Sequence, residues 1–411
     1  MSIIKKAHAH SYLLTLILVS QVITLIKPDR DKFYCSTVIT RLEVFHFHIN
    51  CDSPIFLLDA QNPQRLINGE SVYADRPIYS LLNHLVLRFL EVIRFPTHEI
   101  EYFGQDGKPV NYLLENYAIY IAINLTILIF TAYLAFLITN HLIISRQLGS
   151  MEVYPTLTFL ILLISMNKLT HDFFWSPHTQ MFNVMIPISL IAIAMLGGNI
   201  NNRETAIVVV TISILTLAYP LSAIMGPVLA ISVRHGSLIK KICITIAPLV
   251  PYFVWPQIVV ALGGTYRNNS IDSEQFVWIL NAQEEGKLLL RCRENLLAMM
   301  STFPKIAVCC VIIYWLAQIF VSKRKGIRAL NPFSSEECKN LLIGFMCYLT
   351  FLYLMGDYYP RLSWGPVIFL IVLTILHATS RYGDSKLVKK LMIVGALIWI
   401  AIWIDPNFKF G

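Results

Sequence analysis

Apolar residues in this chain gather into runs about one membrane thickness long, and polar residues fall between the runs rather than alternating within them. A helix needs about 20 apolar residues to cross the hydrocarbon of a bilayer. Runs near that length occupy 11–27, 113–140, 154–167, 180–197, 205–219, 220–233, 242–262, 303–321, 339–356, 364–380 and 388–404. The pattern predicts an all-α polytopic membrane protein, a single transmembrane domain over 1–411 with about eleven spans. The run at 154–167 is short, and those at 205–219 and 220–233 meet at Tyr219-Pro220, where proline can break the helix. Lys5 and Lys6 precede the first run, and no small-residue cleavage site follows before Lys27-Pro28, the pattern of a retained signal anchor.

Two polar stretches interrupt the runs, 28–112 and 263–302. Within the first, Ile78, Leu81, Leu82, Leu85, Val86, Phe89, Leu90 and Ile93 share one helical stripe, and Arg88, Glu91 and Arg94 share the other face. Three charges in so short a run argue against a span and for an amphipathic helix lying in the membrane interface. Leu288, Leu289, Leu296, Leu297 and Met300 make a weaker stripe of the same kind in the second stretch.

Basic residues orient the chain. With the N-terminus inside, 16 of the 33 lysines and arginines lie in cytoplasmic loops, and 14 of the other 17 lie in two long segments, 27–112 and 263–305. Long translocated loops weigh little in the positive-inside rule. Among short loops and tails the count is 16 inside against Lys168, Arg361 and Lys409 outside, so the N-terminus is expected in the cytoplasm and the C-terminus outside.

Composition agrees with this reading and narrows the function classes. The 411 residues are 56% hydrophobic and 14% charged, with a mean hydropathy of +0.60, against about 45–50% and about 25% in soluble domains. The formal charge of +8 follows from topology and calls for no nucleic acid. Of eight cysteines none forms a CxxC pair or zinc spacing with histidine. Cys35 and Cys51 fall on the expected outer side, where an oxidising compartment can bridge them. Asn124-Leu125-Thr126 lies within a span, out of reach of glycosylation.

Candidate chemistry concentrates on the expected outer face. The first stretch carries Asp52, a helix-like segment with Asp59, then Leu66-Ile67-Asn68-Gly69-Glu70-Ser71-Val72-Tyr73-Ala74-Asp75-Arg76-Pro77-Ile78-Tyr79. Taken singly these are ordinary loop anatomy: Asp52 as a helix N-cap, Gly69 as a C-cap, Asp75-Arg76 as a surface pair. A second outer loop reads Lys168-Leu169-Thr170-His171-Asp172-Phe173-Phe174-Trp175-Ser176-Pro177-His178-Thr179-Gln180, and a later one Asp357-Tyr358-Tyr359-Pro360-Arg361-Leu362-Ser363-Trp364.

The ordered series in the first stretch resembles the first outer loop of the GT-C glycosyltransferases, polytopic enzymes that take a sugar from a polyprenyl-phosphate carrier, and most closely their bacterial lipid-sugar transferase branch. The resemblance implies that Asp52 is the base or acceptor-orienting carboxylate. Many relatives have Glu next where this chain has Ser53, which leaves Asp59 or Asp75 open as a partner in that role. It also implies a polar motif in the loop at 168–180, here His171, Asp172 and His178, and an Arg/Tyr/Pro cluster that meets the carrier phosphate, here Tyr359 and Arg361. Asp75 and Arg76 join the substrate-binding candidates.

The chemistry fits those residue types. Sugar transfer from a lipid phosphate needs a carboxylate to take the acceptor proton and cations or a metal for the departing phosphate. Arg361 suits phosphate oxygens, and Asp52, Asp172 and His178 are the candidate ligands for a divalent ion, magnesium or manganese. The expected partners are a polyprenyl-phosphate-linked sugar, a glycan, lipid or protein acceptor, and membrane lipids, in a bacterial inner membrane. Two alternatives stand beside this one: a lipid or sugar transporter or flippase, and an oligosaccharide polymerase or ligase of different fold resting on Arg291-Cys292-Arg293.

Overall fold

The computed structural model describes residues 3–26, 37–42, 45–50, 52–103, 109–145, 153–234, 236–268, 275–302, 336–356, 358, 364–382 and part of 390–400. The expected span at 303–321 lies outside these residues, as do Cys35, Cys51, Tyr359 and Arg361.

Helix dominates. The elements that frame the site are α1 (Ile3–Ile26), β1 (Thr37–Leu42), β2 (Phe45–Ile49), α2 (Ser53–Gln61), α3 (Pro77–Val92), β3 (Glu99–Phe103) and β4 (Pro109–Leu113). Then come α4 (Leu114–Ser145), α5 (Val153–Ser165), α6 (Lys168–Phe173), α7 (Phe182–Leu196), α8 (Asn202–Ala218) and α9 (Met225–Ser232). The last are α10 (Leu238–Ile246), α11 (Val250–Ala261), α12 (Trp278–Glu284), α13 (Leu288–Thr302), α14 (Glu336–Met355) and α15 (Trp364–Tyr382). The two antiparallel hairpins, β1 with β2 and β3 with β4, amend the all-α expectation within the first polar stretch.

Among the described residues four helices are long and apolar enough to cross a membrane: Leu114–His141, Thr179–Asn199, Leu238–Ala261 and Glu336–Met355. The described residues do not show all of the expected eleven. At about 1.5 Å per residue, the 17 residues of α8 extend about 26 Å, short of a hydrocarbon core of about 30 Å. Tyr219, extended at φ −157°, ends α8, because the residue before a proline avoids helical backbone. Pro220 then opens a 3-10 turn, Pro220–Ile224, that leads into α9.

Helix α7 is the axis of the bundle. It is apolar on every side and almost wholly buried, as a helix surrounded by helices must be. Around it pack α4, α9, α14 and α15. One end of the bundle collects His141 with Glu337 at 2.8 Å, Arg234 with Glu336 at 3.2 Å, and Lys240 with Asn202 at 2.7 Å. The opposite end collects the first polar stretch, the loop at 166–181, the segment at 263–268 and the C-terminal end of α14. There the Thr265 N–H donates to the Ile67 carbonyl at 2.8 Å and Trp278 Nε1 to the Leu354 carbonyl at 2.9 Å. Gly264 permits the first of these approaches, since a Cβ there would sit 2.2 Å from the Ile67 oxygen.

Helix α3 lies across that end with its polarity turned outward. It buries Tyr79, Ser80, Asn83 and Leu87, and leaves exposed much of the apolar stripe read from the sequence: Leu82 is 47% exposed, Leu85 65% and Phe89 61%. A soluble fold would bury that stripe, and a lipid-facing helix presents it. Helix α13 likewise leaves Leu289, Leu297 and Met300 exposed.

Candidate active site

Asp52 stands at the N-cap position of α2, but its carboxylate makes no capping hydrogen bond. The side chain of Asn50 takes the local duty instead, accepting from the Asp52 N–H at 3.0 Å. Asp52 Oδ2 reaches His178 Nε2 in the distant loop, at 3.1 Å. The Asp52 side chain is 38% exposed and that of His178 is 4% exposed, so a buried ring steadies a carboxylate open to its surroundings.

The tautomer of His178 follows from its other nitrogen. Nδ1 accepts the backbone N–H of Gln180 at 3.1 Å. The proton of the neutral ring is therefore on Nε2, which donates to Asp52. Phe56 and Phe173 pack on the ring at 5.5 and 4.8 Å between centroids. In this tautomer neither nitrogen of His178 offers a free lone pair to a cation. Among the described residues no three His, Cys, Asp or Glu side chains gather closely enough to hold a metal ion.

The loop that carries His178 is held by α4. Asn124 Nδ2 donates to the carbonyls of Phe173, Phe174 and Ser176 at 3.0–3.2 Å. The Tyr79 hydroxyl sits between the His178 carbonyl at 3.1 Å and Asn124 Oδ1 at 3.2 Å. Ser53 and Ser176 hydroxyls meet at 2.8 Å, tying the start of α2 to the same loop.

The next residue, Thr179, extends the arrangement to the second acidic position. Arg76 Nη1 donates to Thr179 Oγ1 at 2.8 Å, and its guanidinium lies over the rings of Tyr73 and Tyr219 at 5.2 and 5.1 Å. Asp75 approaches Arg76 Nε at 3.4 Å, and neither carboxylate oxygen forms a hydrogen bond among the described residues. The expected surface pair is thus a buried one, covered by α11 and the segment that follows it: Trp255 Nε1 donates to the Ala74 carbonyl at 2.7 Å. Burial raises the carboxyl of Asp75 above the usual range, with Arg76 opposing, and Asp75 keeps Arg76 charged against its own burial.

The remaining candidates separate. Asp59 is fully buried, accepting from Arg65 Nε at 3.1 Å and from the Ser71 hydroxyl, and so closes the turn that leads from α2 to Gly69. Burial raises its carboxyl in spite of those bonds. His171 Nδ1 and Asp172 Oδ1 pair with each other at 2.9 Å on α6. Gly69, at φ +80°, supplies the turn expected of it.

No protein-family model matches the chain, and no curated protein or solved structure matches it either. The geometry therefore carries the functional argument. Sequence reasoning passed over Asn124 and Tyr219, whose roles are to hold the catalytic-candidate loop and to floor the Asp75-Arg76 pair. A buried asparagine within an apolar run is itself a signal, and at Asn124 the glycosylation pattern distracted from it.

Proposed function

We propose that the protein is an integral-membrane glycosyltransferase of GT-C type that moves a sugar from a polyprenyl-phosphate carrier to a glycan, lipid or protein acceptor. The reaction takes place on the non-cytoplasmic face of a bacterial inner membrane, in a topology of about eleven spans with the N-terminus inside and the C-terminus outside. The observation that carries the reading is Asp52, a half-exposed carboxylate released from helix capping and steadied by the buried His178. Such a group is placed to take the proton of an acceptor hydroxyl as it attacks the anomeric carbon. Arg76, Arg361 and Tyr359 supply the contacts for the carrier phosphate, and magnesium or manganese bound to Asp52 and Asp172 would add Lewis-acid assistance.

Two further observations support it. The polar stretches assigned outward by charge gather at one end of the bundle, and the basic loops assigned inward gather at the other. In the four long apolar helices every Asp, Glu, Lys and Arg lies within the first four positions, which disfavours a transporter with ionisable groups at mid-membrane. The test is transfer by the purified protein from a panel of radiolabelled polyprenyl-phosphate sugars, with manganese and with EDTA. Native protein labels acceptor, and Asp52→Asn at equal expression does not; full activity in Asp52→Asn refutes the assignment.

A further inference from the structure

Helices α8 and α10 begin together at the end of the bundle opposite Asp52, joined where Lys240 Nζ donates to Asn202 Oδ1 at 2.7 Å. Each turns an apolar stripe outward. On α8, Arg203 heads a row on one helical face, Ile207, Val210 and Ile214, and all four are exposed. On α10, Leu238 and Ile239 are 75% and 73% exposed, and Ile242 and Ile246 continue the same face. Ile244 is buried, and Lys240, one turn before it, leans the same way. Like α3, α10 therefore shows its apolar side outward, and lipid is the medium that covers such a face.

Length and charge select the kind of lipid. Ile214 stands eleven positions beyond Arg203, about 16 Å at the helical rise, and one leaflet of a hydrocarbon core of about 30 Å is about 15 Å deep. An acyl chain lying on this stripe puts its headgroup at Arg203. The acids of this end are engaged elsewhere: Glu204 accepts the Asn201 N–H at 2.8 Å, Glu336 faces Arg234 at 3.2 Å, and Glu337 faces His141 at 2.8 Å. Arg203 and Lys241 have no acidic partner among the described residues. A soluble anion would leave the stripes bare, and a zwitterionic lipid would bring a cation of its own to these two. We propose that the edge formed by α8 and α10 binds an anionic phospholipid, with the headgroup phosphate at Arg203 and Lys241 and the acyl chains on the two stripes. The inference is independent of the sugar-transfer reading.

The test titrates the full chain in detergent with dioleoylphosphatidylglycerol and, separately, dioleoylphosphatidylcholine, and counts bound lipid by native mass spectrometry. A basic side chain near a membrane surface adds about fivefold to anionic-lipid affinity, the equivalent of about 1 kcal/mol. With two such cations, the first phosphatidylglycerol should bind about 25-fold more tightly than the first phosphatidylcholine. Arg203→Gln with Lys241→Gln should bring that ratio close to one. Arg203→Lys with Lys241→Arg keeps both charges and should preserve it. So should Arg88→Gln with Lys287→Gln, which removes two exposed cations from the opposite end. Equal binding of the two lipids to native protein overturns the inference, as does a preference that survives Arg203→Gln with Lys241→Gln. An equal loss in the Arg88 and Lys287 variant, or a lost preference in the charge-keeping variant, overturns it too. Displacement of phosphatidylglycerol by equimolar glycerol 3-phosphate would show that a free anion suffices and would sink the lipid assignment. Sugar transfer plays no part in the readout, so no outcome bears on the transferase reading.

Discussion

Replacing His178 separates two jobs that one ring performs. Its Nε2–H donates to Asp52 and its Nδ1 accepts from Gln180, at 3.1 Å in both cases. Asparagine places an acceptor near Nδ1 and cannot reach Asp52; glutamine places an amide N–H near Nε2 and gives up the bond from Gln180. His178→Ala loses both, together with the contacts to Phe56 and Phe173. Truncating a buried ring costs about 2–5 kcal/mol, and orphaning the Gln180 N–H about 1–3 kcal/mol. The hydrogen bond to Asp52 adds little to stability, because that carboxylate is more than a third exposed and water screens it. Its value is in placement, where an error of about 1 Å costs about 100-fold in rate. His178→Asn should therefore keep most of the thermal stability and lose about 100-fold in kcat, while His178→Gln should melt earlier and keep its rate at low temperature. Sugar-transfer kinetics at 15 °C beside melting curves in the same detergent make the comparison. Equal rates in native and His178→Asn, or rates that merely follow stability across the series, would refute the positioning role.

Other expected outcomes follow from single contacts. Burial raises the carboxyl of Asp59, so its contribution to stability is fully present below the unfolded value of about 3.9 and is lost as pH rises through the higher folded value. Melting temperatures of native protein should therefore fall relative to Asp59→Asn between about pH 4 and neutrality, and a pH-independent difference would count against it. Gly264→Ala drives a Cβ to 2.2 Å from the Ile67 carbonyl, which forces the segment at 263–268 off the first polar stretch; the expected loss is about 1–3 kcal/mol, read by thermal shift and by new proteolysis near Gly69. A bromolipid should quench a tryptophan placed at Leu85 or Phe89 on α3 and not one placed at Leu87, which faces the bundle; equal quenching at all three would show that the stripe does not face lipid.

The sequence was most legible where a single period or charge count decides. The stripe at 78–93 reappears as the exposed face of α3, and Tyr219-Pro220 ends α8 as the proline demands. Run lengths were less reliable. They overlooked the strand-forming alternation in Thr37–Leu42 and Phe45–Ile49, because a search for spans ignores five-residue periods of two. The approach of His178 to Asp52 across 126 positions was not legible, since only the folded bundle brings those loops together. The burial of Asp75-Arg76 was hidden for the same reason: the indole that covers Ala74 comes from residue 255.

The outward stripe of α3 has a mechanical consequence. His84 on α3 contacts the Ala60 carbonyl on α2 at 2.7 Å, and Asp52 is the N-cap residue of α2. On the proposed reading, α3 at the lipid boundary would act as a depth gauge for the carboxylate and hold it at the level of the headgroups. When the bilayer thickens or thins, the long helices can tilt beneath it. The reacting groups would then keep their height relative to any lipid-borne phosphate, and activity should depend less on acyl-chain length than span lengths alone imply.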